Sequence, residues 1–362
     1  MDGDRVTSSS PLKICLVPAI PFSLLHGGGE IQAEQTKAAL ERRGHDIRWL
    51  DMSDRNGLEG VDVIHFFGAG AQFSWWMHVA RERLPIVCSS IFYETSARKR
   101  FYWKQACNLN GTKAYLVKRA LLDCDRILPN SMAERVQVSR VFGIPITRMA
   151  VIPNGVESSM AQGSSECFYA AHSDIPRGQR IVLFVGRIEP NKNVLDLLKA
   201  FSHIEDAALV IVGQFAPGVD QLYRAQVLAS LQEQRSRAFW LGALPHVQLA
   251  DVYAAASVHV LPSHAETAGL SALEAGLAGC NLVVGNSAPS REYFDGIAEI
   301  TKPEPTSIGR SIRKALDLPR NFYHQSEYIA AHYAWDAVAE QTEHEYMRAI
   351  EEYKARAATL RT

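Results

Sequence analysis

The sequence predicts an α/β protein of two doubly wound parallel sheets facing each other across a cleft. Three observations carry that expectation. At 362 residues the chain is too long for one ordinary core, so two domains are the natural partition. A strand, loop, helix, strand unit occurs twice, from KICLVPAI (13–20) and again from RIVLFVGR (180–187). That grammar belongs to parallel sheets covered on both faces. Between the copies lies SSMAQGSSECFYAAHSDIPRGQ (158–179), rich in small and polar residues, which reads as a linker or long loop.

Each element follows from its residues. KICLVPAI is a short apolar run of strand type, and Gly27-Gly28-Gly29 reads as a loop after it. EIQAEQTKAALERRG has helical periodicity and stops at Gly44. DIRWLD (46–51) and VDVIHFFG (61–68) are the next strands. In the second copy, a helix is expected through NKNVLDLLKAF (191–201) and a strand in AALVIVG (207–213). WDAVAEQTEHEYMRAIEEYKARA (335–357) has the pattern of a long amphipathic helix. The expected partition is an N-terminal domain at 1–157, a linker at 158–179, a C-terminal domain at 180–330, and a tail, 331–362, whose helix packs back on the first domain.

Composition is that of an ordinary globular protein, with 47% apolar and 21% charged residues. The net charge of -1 gives no electrostatic case for nucleic acid. It hides an asymmetry: residues 1–155 carry 20 Lys and Arg against 15 Asp and Glu, and the remainder is acidic. The six cysteines form no C-x-x-C pair, which fits reduced thiols. The first twelve residues are polar, and no window approaches the roughly 18 apolar residues of a membrane span. A cytoplasmic protein, at most peripheral at the inner face of a membrane, is expected.

In open α/β sheets a ligand sits at the carboxyl ends of the strands. The dehydrogenase pattern G-x-G-x-x-G is absent, which disfavours a nicotinamide enzyme. GRIEPNK, Gly186 to Lys192, ends an apolar strand and puts Arg187 and Lys192 near a helix N-terminus. Cations are unfavourable there unless an anion joins them, and a diphosphate would satisfy both. The plain alternative is two solvated surface cations. PSHAETAGLSALEAGLAG (262–279) follows another apolar strand end. Gly269 permits a tight turn, and a helix from Leu270 would aim the N–H groups of Ala268, Gly269 and Leu270 at the cleft. Glu266 and Glu274 are too far apart for one metal or one shared proton, and suit two ends of a hydroxyl-rich ligand. The alternative makes Glu266 a dipole-favoured acid and Glu274 an exposed position.

These pieces together resemble the family 4 retaining glycosyltransferases of the GT-B fold, which has two Rossmann-like domains. The resemblance rests on the triple-glycine loop, VDVIHFF, CDRILPNSMAE (124–134), IPNGVE (152–157), FVGRIEPNKN (184–193), FWLGALPHVQLADVYAAASVHVLPS (239–263) and the Glu-x7-Glu stretch. It implies sugar transfer with retention from a nucleoside diphosphate sugar to an acceptor hydroxyl on a glycan, glycolipid or small molecule. Arg187 and Lys192 would hold the diphosphate, beside Gly186. Glu266 would bind the donor sugar, Ala268 to Leu270 the phosphate, and Glu274 the ribose. The loop at Gly242-Ala243-Leu244 would edge the base, and Gly28 and Gly29 would let the backbone approach the donor. No cofactor, essential metal or protein nucleophile is implied.

The sequence departs from that pattern in three places. Many members have a His where this chain has Ile91, with Tyr93 or Glu94 as replacements in the site. NSAPSREYF (286–294) stands in place of a glycine-rich turn, leaving Ser287 and Ser290 as ligand contacts. The base-edge loop carries Pro245 and His246. Asp2-Gly-Asp4 and Asp123-Cys-Asp125 each spell D-x-D, the first in a polar tail and the second as a cap and surface pair. His65 is expected to be a satisfied structural histidine, and Ser263-His264 lacks a third partner for a hydrolase triad. The segment 96–122 has seven Lys or Arg and no acid, interleaved with Phe101, Tyr102, Trp103 and Tyr115; with WWM (75–77) it could meet a membrane or lipid-linked acceptor. A solvated basic face is the alternative. Two competing readings keep the fold: a phosphorylase or epimerase, and a non-catalytic nucleotide-sugar-binding subunit.

Overall fold

The computed structural model describes residues 10–20 and 27–359. Asp2-Gly-Asp4 lies outside the described residues. The first half alternates β1 (Lys13–Val17), α1 (Gly28–Arg42), β2 (Asp46–Trp49), β3 (Val63–Phe67), α2 (Ser74–Ala80), β4 (Ile86–Ser89), α3 (Ala97–Ala106), α4 (Lys113–Asp123), β5 (Arg126–Ile127) and α5 (Met132–Phe142). Its strands are parallel in the order β2-β1-β3-β4-β5. Neighbouring residues on a strand point to opposite faces, and both faces are covered. Ile14, Leu16, Val63 and Phe67 join one buried cluster, and Cys15, Val17, Ile64 and Phe66 another. That is why KICLV and VIHFF read as continuous apolar runs.

The second half follows with α6 (Ser165–Ala171), β6 (Arg180–Val185), α7 (Val194–Phe201), β7 (Ala207–Val212), α8 (Gln221–Glu233), β8 (Ala238–Gly242), α9 (Leu249–Ala255), β9 (Val258–Leu261), α10 (Leu270–Leu277), β10 (Asn281–Gly285), α11 (Ala288–Phe294), β11 (Glu299–Thr301), α12 (Pro305–Asp317), α13 (Gln325–His332) and α14 (Trp335–Thr359). The sheet is parallel in the order β11-β10-β9-β6-β7-β8.

Several elements differ from the sequence expectation. The segment 158–179 is folded: Ser164 caps α6 through the Cys167 N–H, and Phe168 is buried in the second core. Its small and polar residues serve as caps and turns. Gly27 is the N-cap of α1, with Gly28 and Gly29 in its first turn. The helix expected from 191 starts at Val194, because Asn193 takes a left-handed backbone and Pro190–Lys192 forms a separate short turn.

α14 returns to the first sheet. Tyr346 is fully buried, with its hydroxyl 2.7 Å from His65 Nδ1, while His65 Nε2 lies 3.0 Å from Ser89 Oγ. Burial lowers the His65 pKa to about 3, so the ring is neutral and structural. Arg126 is buried and donates to Glu345 at 2.6 Å and to the Thr147 carbonyl at 2.7 Å. Asp123 and Asp125 are not a surface pair. Both are buried, Asp123 against Arg81 and Asp125 against Arg356 of α14, because the last helix covers the end of the sheet where they stand.

Removing one partner of a buried ion pair leaves the other charge uncompensated. Glu345→Ala is therefore expected to lower stability by about 3–5 kcal/mol in urea unfolding. Asp336→Ala, which removes an exposed partner of Arg42, is expected to cost less than about 1 kcal/mol. Equal losses would mean that the Arg126–Glu345 pair does not anchor α14.

Candidate functional site

Strand order reverses between β6 and β9 in the second sheet and between β1 and β3 in the first. Loops leaving these strands part at such points and open a crevice. The two crevices share a cleft of about 1250 Å³. Its floor is glycine-dependent. A Cβ on Gly213, at the end of β7, would stand 1.9 Å from the Gly186 carbonyl oxygen, so only glycine lets these two turns meet.

From β6 come Gly186, Arg187 and Lys192; from β9 come Glu266, Ala268, Gly269 and Leu270; all line the cleft. The two loops are tied together: His264 N–H donates to the Asn191 carbonyl at 2.9 Å, and Asn191 Nδ2 to the Ala265 carbonyl at 3.0 Å. Lys192 Nζ lies 2.6 Å from Glu266 Oε1, with both side chains largely withdrawn from solvent. Arg187 is more open and reaches Glu189 at 3.5 Å. Lys192 is therefore paired rather than free, while Arg187 keeps the more open position of the plain alternative. Gly269 is left-handed (φ 76°) and starts α10, leaving the helix's first N–H groups at the cleft.

Glu274 lies in the second turn of α10 and is buried, not exposed. One carboxylate oxygen is 2.7 Å from His246 Nε2, and the other accepts the Tyr253 hydroxyl at 2.7 Å. That bond to Glu274 raises the His246 pKa above the ordinary 6.5, favouring imidazolium. Ala243 to His246 line the cleft, whereas Gly242 lies outside the lining and uses its carbonyl to accept the Gly213 N–H at 2.7 Å. On the opposite wall stand Gly28, Gly29, Ile91, Tyr93 and Glu94. Ser287 and Ser290 do not line the cleft; they bond to each other at 2.8 Å and cap α11.

Asn154 escaped the sequence reading, although IPNGVE was noticed. It is buried at the cleft with its N–H on the Tyr293 hydroxyl at 3.0 Å, and its side-chain oxygen has no partner. A buried amide oxygen without a partner is unfavourable unless a donor arrives. Among the described residues, no three His, Cys, Asp or Glu side chains converge in a way that could hold a metal.

The His246–Glu274 pair has a definite pH signature. A pKa raised in the folded state adds stability that is full below pH 6.5 and lost as pH rises through the folded value. Glu274→Gln is expected to return the His246 titration toward 6.5, followed by imidazole proton resonances. An unchanged titration would show that this hydrogen bond does not hold the imidazolium.

Comparison with known proteins follows the same division. Residues 168–332 match the family model for glycosyl transferases group 1, and residues 54–159 match that for Glycosyltransferase Family 4. D-inositol 3-phosphate glycosyltransferase of Mycolicibacterium smegmatis is 26% identical over 65% of this chain and 55% of its own length. Glycogen synthase of Mycobacterium tuberculosis is 25% identical over 74% of this chain and 64% of its own. The chain thus spans little more than half to two thirds of the length of these two curated relatives. Among solved structures, sucrose-phosphate synthase from Thermosynechococcus elongatus superposes with a TM-score of 0.74 at 20% identity, covering 93% of this chain and 98% of that one. Anabaena HepE in complex with UDP gives 0.71 at 15% identity, covering 92% and 99%. Both likenesses establish the fold, two parallel sheets in the GT-B arrangement. With both halves matched in order, the chain belongs to the family 4, group 1 glycosyltransferases of the GT-B type.

Proposed function

We propose that this chain transfers a sugar from a nucleoside diphosphate sugar to an acceptor hydroxyl, with retention at the anomeric carbon and without an essential metal. The supporting observation is that Arg187, Lys192, the α10 N-terminus, Glu266 and Glu274 all line one cleft, with Lys192 2.6 Å from Glu266. Fixed positive charge and N–H groups suit the diphosphate. In this reading Glu274, held by His246 and Tyr253, binds the ribose, and Glu266 binds the sugar hydroxyls. As the anomeric C–O bond breaks, its electron pair leaves with the diphosphate, and preorganised charge stabilises that leaving group. The acceptor oxygen bonds to the same face of the carbon, and its proton passes to the departing phosphate oxygen. Proximity and electrostatics then carry the rate with no protein nucleophile.

The likeness to HepE, solved with UDP, makes UDP the first nucleotide to try. A ligand at a hundred times its Kd adds about 2.7 kcal/mol of stability, visible as a thermal shift. One of UDP, GDP or ADP is expected to give that shift, and Arg187→Ala and Lys192→Ala to abolish it. Sugar transfer is expected to survive EDTA. No shift with any nucleotide would favour a non-catalytic scaffold.

We also propose that the N-terminal half meets an anionic lipid surface. No described helix is long and apolar enough to cross a membrane. α3 instead turns Phe101 and Tyr102 outward, 66% and 64% exposed, with Arg98, Lys99 and Lys104 beside them, and Lys99 lies on the cleft rim. Trp75 of α2 is 71% exposed. Each cation near an anionic bilayer contributes about 1 kcal/mol. Co-sedimentation with phosphatidylserine vesicles is expected, weakened by salt and by Phe101→Ser. Equal recovery in the pellet with and without vesicles would remove the idea.

A further inference from the structure

Ile91 has a left-handed backbone, φ 44°. A β-branched residue there is an outlier, and such strain persists only where the surroundings enforce it. Here Glu134 enforces it. The carboxylate is fully buried. One oxygen accepts the Ser90 hydroxyl at 2.5 Å and the Phe92 N–H at 2.8 Å, the residues on either side of Ile91. The other accepts the Asn130 N–H at 3.1 Å. One turn along α5, Gln137 takes the Glu94 N–H at 2.6 Å and donates to its carbonyl at 3.1 Å. The fold thus holds an apolar side chain at the cleft wall against a backbone cost.

What Ile91 faces is fixed by the three glycines that open α1. A Cβ on Gly27 would stand 3.9 Å from the Arg187 guanidinium carbon, one on Gly28 3.9 Å from Leu270 Cδ1, and one on Gly29 3.7 Å from Ile91 Cδ1. Along this short strip the glycines meet a cation and a helix start across the cleft, and then an aliphatic carbon on their own side. A diphosphate between Arg187 and α10 would therefore direct its sugar past Leu270 toward Ile91. In a pyranose whose 2- and 3-hydroxyls meet Glu266, the opposite edge carries the ring oxygen and C5, from which the C6 substituent projects.

We propose, resting on the donor reading above, that the donor sugar is a 6-deoxyhexose, with its methyl group against Ile91 and Leu270. A hydroxymethyl oxygen against this aliphatic patch would lose its water without gaining a partner, whereas a methyl group gains burial.

The test measures binding of matched donors to the full chain by calorimetry, on the base selected by the bare nucleotides: glucose with 6-deoxyglucose, galactose with 6-deoxygalactose, and xylose. The 6-deoxyhexose is expected to bind at least roughly tenfold tighter than its parent hexose, and xylose to fall between them. Ile91→Asn keeps a residue that tolerates the left-handed backbone and supplies a hydrogen-bonding group, so it is expected to shift the preference toward the hexose. Ile91→Gly keeps the backbone without the contact and is expected to erase the preference. Parent hexoses binding as well as their 6-deoxy forms, with nucleotide binding intact, would overturn the inference alone. No binding of any nucleotide would overturn the donor reading and the inference together.

Discussion

In a parallel sheet, the strand order can turn back only where two neighbouring crossovers leave on opposite faces, and that geometry leaves a gap. This chain has two such gaps, after β1 and after β6, and they have to face each other for either to matter. The facing is set by how the chain crosses between its halves. It crosses twice, and the two crossings run side by side: Val156 and Ala334 form a parallel bridge, with the Val156 N–H on the Tyr333 carbonyl at 2.7 Å. α13 then packs on α10 in the second half while α14 packs on α1 in the first. A further joint lies behind the cleft. Glu292 of α11 accepts the N–H groups of Met132 and Ala133 at the start of α5, and the Tyr293 hydroxyl donates to the Asn130 carbonyl at 2.7 Å. The helix that clamps Ile91 is therefore itself capped by the other half of the molecule.

Much of the fold could be read from the sequence because its signals are local. Fully buried strands such as VIHFF and AALVIV are continuous apolar runs, and Gly269 marks the left-handed turn before α10. The cations of GRIEPNK and the acids of the Glu-x7-Glu stretch were noticed for their residue types, and the sheet brings all four to one cleft. What escaped depends on partners distant in sequence. Asp125 looked exposed because Arg356, which buries it, lies 231 residues away. The segment 158–179 looked like a linker because its few apolar residues are spaced among serines, yet Met160, Phe168 and Ile175 anchor it in the core. Ile91 stood out for its residue type, but its backbone gave no signal: that conformation is imposed by Glu134, 44 residues from Ser90, and an isoleucine after a strand predicts the opposite.

The cleft also holds its charges ready. Lys192 with Glu266 and His246 with Glu274 are already paired, each carboxylate largely withdrawn from water. An unpaired buried charge is costly, so an empty cleft with these four groups apart would be unstable. In the proposed donor complex the phosphate would take up the lysine's remaining donors, and sugar hydroxyls would donate to oxygens that the carboxylates still have free.

The same reasoning explains why Glu134 can sustain strain. Burial raises its carboxyl pKa to about 7, and the negative Glu292 adds to this. Three donors on the carboxylate oppose that shift. Burial still outweighs the three donors, since the net shift is upward; what they fix is the position of the two oxygens, and through them the backbone on either side of Ile91. An amide of the same shape could not replace it. The Phe92 and Asn130 N–H groups lie on different oxygens, so an amide nitrogen in either place would face a donor. A carboxylate is the side chain that this loop geometry requires, and the loop geometry is what sets Ile91 on the cleft wall.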